Sequence, residues 1–186
     1  MWSFVRWGLC IAPSLFMAVV GRLVAPILPF FVEKETKRLP DWLNWFNTPN
    51  STADGDRGHM ERWPGTSPWQ TYVRRVAWYL RNVCYGFDRT VVGVKIRPGF
   101  WRFIDGNPQV GDLTGVSGIV FYRLYDKRST LKAWQFYGVF HYPIGQGKFK
   151  CIRLGAGWKI WGEITKKDYA QFFLYFHPFK GSGRSC

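Results

Sequence analysis

From Gly8 to Val32 the chain reads GLCIAPSLFMAVVGRLVAPILPFFV, 25 residues with Arg22 as the only charge. As a helix, such a run is long enough to cross a hydrocarbon core of about 30 Å. Arg22 near its middle costs about 2.5–3.5 kcal/mol on insertion scales, and Pro13, Pro26 and Pro29 each interrupt helical hydrogen bonding. Three arrangements fit. The run can be a single imperfect span, or a helix over about residues 2–21 followed by a Pro-broken stretch at the interface. It can also be a segment buried against partner subunits, self-association through 8–32 then satisfying Arg22. In each case residues 1–38 are an apolar anchor with a basic flank. No small-x-small site ends the run, so a cleaved signal peptide is not expected. Lys34, Lys37 and Arg38 follow it whereas only Arg6 and the terminal amine precede it, a bias that places the C-terminal domain on the cytoplasmic side, with Glu33 and Glu35 opposing.

Residues 39–66 change character. LPDWLNWF places Pro40 and Asp41 at the start of a short helix with Trp42, Leu43, Trp45 and Phe46 on one greasy face. Trp42, Trp45 and Phe46 suit a membrane-interface belt as well as a core. Residues 47–68 are rich in turn formers and lack apolar periodicity, which predicts a long irregular loop. Its Asp54, Asp56 and Glu61 do not match the alternating ligands of a calcium loop, so it reads as solvated. Ser67-Pro68 then opens a helix to about Cys84, with Trp69, Tyr72, Val73, Val76, Leu80 and Val83 at three- and four-residue spacing. Arg74, Arg75 and Arg81 fall mostly off that stripe, as a solvated cationic face or an anion- or lipid-headgroup patch together with Lys34, Lys37 and Arg38.

After Val91 the period shortens to that of strands: residues 91–97, 99–104, 118–125, 130–142, 148–154 and 158–164, with turn signals at Asp105-Gly106-Asn107, Gly145-Gln146-Gly147 and Gly155-Ala156-Gly157. Thr165-Lys166-Lys167-Asp168 has the look of a capping box before YAQFFLYF, predicting a short apolar C-terminal helix. The fold class is therefore α+β. An N-terminal membrane or assembly helix and one amphipathic helix precede an antiparallel β-meander or small open barrel, which the C-terminal helix covers. The basic, aromatic-rich domain occupies 67–180, and 181–186 form a flexible tail.

Composition adds a partner class. Aromatic residues make up 19% of the chain, which excludes disorder as its main state. After residue 38 there are 21 Lys and Arg against 10 Asp and Glu, a surplus of 11 positive charges. Such a surplus attracts anionic lipid or, nonspecifically, nucleic acid. Cations interleaved with aromatics on strands suit base stacking, but alternation sends about half of those aromatics into the core. Cys10, Cys84, Cys151 and Cys186 form no C-x-x-C pair, so neither a zinc framework nor a disulfide scaffold is expected.

Candidate chemistry is sparse. His141 and His177, with Asp105 or Asp112, are the weak candidates for a proton-transfer site, since imidazole titrates near neutrality. His59, like the other two, reads as a structural or exposed residue. There is no nucleophile elbow, Walker loop, zinc-protease motif or dinucleotide fingerprint. No metal or cofactor is expected, and the balance leans away from an enzyme.

The order of an apolar N-terminus, LPDWLNWFNTPN with Asp54-Gly55-Asp56 behind it, VAWYLRNVCYGF and the Gly-Trp-Lys-Ile-Trp strand resembles uncharacterised proteins of tailed bacteriophages. That resemblance implies a phage origin and a bacterial host, and carries no activity or catalytic residue with it. The expectation is a membrane-associated interaction or structural protein at the host inner membrane, meeting lipid and host or virion protein. Alternatives are a virion component, such as a minor head or DNA-ejection protein contacting DNA, and a membrane-linked enzyme acting on a lipid, glycan or nucleotide.

Overall fold

The computed structural model describes residues 2–182. The chain divides into two compact units, Leu9–Val92 and Met1–Gly8 with Gly93–Cys186.

The helical unit is built on α1 (Trp2–Val24), whose first turns belong to the other unit. Pro13 sits inside α1 without ending it; Pro26 follows its last turn, and Pro29 lies within a 3-10 turn over Leu28–Phe31. The backbone thus takes the form of a helix followed by a Pro-broken stretch. A second 3-10 turn, Asp41–Phe46, is fixed by Asn47, whose side chain exchanges two hydrogen bonds with the Leu39 backbone at 3.1 and 3.0 Å. The expected irregular loop contains a short helix, α2 (Arg57–Arg62), whose N-cap Asp56 accepts from the His59 amide at 2.7 Å. α3 (Pro68–Arg81) starts at a full capping box, Ser67 with Gln70, and α4 (Tyr85–Thr90) follows a left-handed Cys84.

The α3 stripe needs correction. Tyr72 reaches the Pro26 carbonyl, but Trp69 and Leu80 face outward, while Trp78 and Tyr79 are buried. Arg74 and Arg75 turn inward with them, because both guanidiniums bond the half-sequestered Asp54 carboxylate, at 3.4 and 2.8 Å. The face of α3 that packs inward thus includes two guanidiniums with a shared counter-ion beside its apolar residues.

The second unit is an open antiparallel sheet in the order β2-β3-β4-β5-β7, comprising Trp101–Gly106, Gly118–Tyr125, Leu131–Gly145, Lys148–Trp158 and Phe172–Gly181. A two-residue pair, β1 (Val94–Lys95) with β6 (Tyr169–Ala170), stands apart. The α+β class and the meander hold, and the sheet does not close into a barrel. The strand expected over residues 158–164 is absent, since β5 ends at Trp158 and a 3-10 turn occupies Ile164–Lys166, and two further local readings fail. Gly155-Ala156-Gly157 is no turn: it lies within β5, where a Cβ on Gly155 would meet the rings of Phe173 and Tyr175. The expected C-terminal helix is a strand, because its apolar run alternates across the edge of β5 and puts Phe173 and Tyr175 on one face, Phe172 and Leu174 on the other. Gly181 ends β7, and residues 183–186 of the expected tail lie outside the described residues.

Candidate membrane-contacting surface

The packing of α1 is inverted relative to a helix of a water-soluble core. The side it turns toward the protein carries its polar atoms: Ser3 is buried, Arg6 donates to the Gly93 carbonyl at 2.8 Å, and Ser14 donates to Asp88 at 2.8 Å. Along the same side the buried Cys84 thiol donates to the Met17 carbonyl at 2.9 Å, and a Cβ on Gly21 would strike Cys84 and Val83. The other side is apolar and bare. Leu9, Phe16 and Leu23 are 68%, 66% and 73% exposed, with Leu15 and Val19 beside them. Positions 9, 16 and 23 recur every seven residues, so they form one stripe along the helix. Arg22, the one charge in the run, is exposed and lies back on its own helix, donating to the Ala18 carbonyl at 3.0 Å.

Aromatic rings extend this surface past the end of the helix. Phe31 meets Trp42 edge-on at 5.5 Å. Phe30 packs on Tyr72 at 5.5 Å, and Tyr72 stacks on Trp69 at the same distance. Contact among the rings does not bury them: Trp42 is 71% exposed, and Phe30 and Trp69 are similarly open. Of the sequence candidates, Trp42 belongs to this edge. Trp45 leans edge-on against Phe87 at 5.4 Å, and Phe46 packs beside the Ala25, Leu28 and Leu39 cluster. Phe30, Phe31 and Trp69 escape sequence reasoning, because an apolar run looks the same whichever side faces out.

The six candidate headgroup cations are distributed unequally. Lys34 is exposed, and Lys37 is largely so, 4.0 Å from Asp54. Arg38 donates to the Ser51 and Thr48 carbonyls, both at 3.3 Å. Arg74 and Arg75 are spent on Asp54. Burial pushes that carboxyl up, but the Arg75 hydrogen bond and the Arg75 and Arg74 charges outweigh it and hold it below the usual aspartate range. Arg81 lies over Trp78 and 3.6 Å from Asp56. His59 is fully buried, donates Nε2–H to the Arg74 carbonyl at 2.9 Å, and is held below its ordinary pKa by burial, against that hydrogen bond.

The catalytic candidates lie in the sheet unit. His141, His177 and Asp112 share one face around Arg153, whereas Asp105 is on the opposite face, 3.7 Å from Arg123. Asp112 is committed to Arg153 at 3.0 Å and accepts from Tyr137 at 3.5 Å. Arg153 lies 4.8 Å over Tyr175, which stacks on His177. Burial, with Arg153 and Lys180 adding to it, lowers the His177 pKa. His141 Nδ1 is 3.1 Å from Ser117 Oγ, which already accepts the His141 amide. Ser117 Oγ either donates its hydroxyl hydrogen to Nδ1 or accepts from Nδ1–H, according to the tautomer of the ring. The arrangement clamps the 107–117 loop onto the sheet. Among the described residues no group of three or more His, Cys, Asp or Glu could hold a metal ion.

These features define an α+β protein with an open antiparallel sheet and, among the described residues, one helix long and apolar enough to cross a membrane by length and composition. The chain belongs to the family of unknown function DUF7338, which matches residues 1–184. No match was found among curated proteins or solved structures.

Proposed function

We propose that this protein is a membrane-associated interaction or structural protein, held in the plane of the lipid interface by the outward side of α1 and the aromatic edge beyond it. The inversion of α1 carries this reading. A helix that spends its serines and thiol contacts on its own unit and leaves leucines and phenylalanines bare suits a solvent of acyl chains. Each such side chain that leaves water contributes about 1.5–3 kcal/mol. Trp42, Trp69, Lys34 and Lys37 supply the aromatic and cationic groups that favour the headgroup level. An in-plane pose fits better than a span, because Ser14, mid-helix, is bonded to Asp88 and a span would carry that carboxylate into hydrocarbon. The resemblance to tailed-phage proteins suggests a bacterial inner membrane as the surface, and the basic flank of Lys34, Lys37 and Arg38 favours its cytoplasmic side. No catalytic role is assigned.

Flotation of the full chain with phosphatidylcholine–phosphatidylglycerol vesicles tests the proposal. The protein is expected at the top of the gradient, and Phe16→Ser with Leu23→Ser is expected to weaken partitioning at least about tenfold. A full-length chain that stays in the dense fraction as a soluble monomer overturns it.

A further inference from the structure

One face of the sheet unit is covered over only part of its width. The residues Trp134, Trp158 and Phe172 lie on one side of β4, β5 and β7. The first turns of α1 sit on them: Phe4 stacks on Trp134 at 4.9 Å, Trp7 contacts Trp134 and Phe172 at 5.1 and 5.9 Å, and Arg6 lies over Trp158. The next positions on that face have no such cover. The register sets Phe121, Phe136 and Leu174 in one cross-strand row and Ile119, Leu154 and Phe176 in the next, with Gly138 between Ile119 and Leu154. Phe140 and Ile152 form a third row. Phe176 is 66% exposed, and Ile119, Phe140 and Leu174 are exposed too. Across these three rows the only charge is Asp105, at the β2 end, paired with Arg123, whose guanidinium lies back over the Phe121 ring at 5.0 Å.

We infer that this bare half-face is a second lipid-contacting surface, inserting at the acyl–headgroup boundary together with the exposed Trp2 and Val5 of the first helical turns. Two observations commit it to lipid. The face is continuous with the apolar amino-terminal turns of α1 through the Phe4–Trp134 stack. Beyond the Phe140–Ile152 row come Lys148 and Lys150, and no carboxylate pairs with them among the described residues. Lys150 instead lies over Phe179 at 5.8 Å. Bare aliphatic and aromatic rows ending in unpaired lysines complement acyl chains ending in anionic headgroups. The inference rests on the membrane reading of the helical unit, but its surface is a different one.

The test uses the full chain carrying Cys10→Ser and Cys186→Ser, with one added cysteine bearing an environment-sensitive fluorophore: Phe176→Cys or Ile119→Cys for the sheet face, Trp42→Cys for the helical unit. With phosphatidylcholine–phosphatidylglycerol vesicles, probes at 176 and 119 are expected to blue-shift and to be quenched by acyl-chain nitroxides. Phe176→Asp is expected to weaken flotation about tenfold. A response at 42 with none at 176 or 119 overturns the sheet-face proposal and leaves the helical-unit reading standing. A response at 176 and 119 with none at 42 does the reverse. If neither responds and the chain does not float, both fall. If the probe at 176 shifts without vesicles as a species of twice the mass forms, a second copy covers the face and the proposal is overturned.

Discussion

Asp54 is one carboxylate serving two inward-facing guanidiniums, and much of the helical unit's order passes through it. Asp54→Asn removes the charge but not the shape, leaving Arg74 and Arg75 without a counter-ion. The expected loss is about 2–3 kcal/mol, at the low end for a broken sequestered pair because both arginines keep some contact with water. Thermal or urea unfolding of the full chain measures it; an unchanged midpoint would show that the arginines are satisfied elsewhere. The pH dependence has two parts. Asp54 has a lowered native pKa, so its contribution is complete above the ordinary aspartate value of about 3.9 and is lost as pH falls through the native one. His59 is also lowered, chiefly by burial, so the unfolded chain binds its proton first. Stability therefore declines as pH falls from about 6.5 toward the native value, before Asp54 titrates. In His59→Gln the decline between about pH 6.5 and 5 should shrink to the part contributed by His177, which is lowered in the same direction.

At the scale of elements, the sharpest constraint is where α4 crosses the Asp41–Phe46 turn. A Cβ on Gly86 would overlap the Asn44 carbonyl oxygen, so Gly86→Ala must part the two segments. It is expected to cost about 1–3 kcal/mol and to disturb the Trp45–Phe87 contact, which a lowered unfolding midpoint and altered Trp fluorescence would report. Elements of this kind were unequally legible in the sequence. β3 is legible to its residues, Gly118–Tyr125, because a run of β-branched and aromatic residues is bounded by turn formers there. The Ser67 cap was readable because its chemistry is local. β7 was not: FFLYF has no polar position to mark its period, and only pairing with β5 decides that it is a strand. The Gly155–Gly157 stretch misleads for a related reason. Gly155 answers to bulky rings on β7 and Gly157 to the backbone of Trp134 on β4, demands that a single sequence does not display. The outward aromatic edge is hidden in the same way, since exposure belongs to packing and not to hydrophobicity.

At the scale of the molecule the open choice is between lying in the interface and crossing it, and the geometry of α1 makes that measurable. Leu9 and Leu23 share the outward stripe and are separated by fourteen residues, a rise of about 21 Å along the helix. Lying in plane, both should reach one shallow depth; spanning, they should differ by most of that rise. Single cysteines at the two positions, in the Cys10→Ser, Cys186→Ser background, take a fluorophore whose depth is read from quenching by nitroxides set at two levels of the acyl chain. Cys84 is no competitor for the label, since burial first, with the Asp88 charge adding to it, pushes its thiol up to about 12. Equal shallow depths are expected, because Ser14 and Met17 tie the middle of the helix to the unit that holds Asp88 and Cys84. A depth difference approaching 20 Å would mean that the bilayer strips α1 from that unit. The Ser14 hydroxyl, parted from Asp88, would then have to be stabilised by lipid or a partner, at a cost that the in-plane pose avoids.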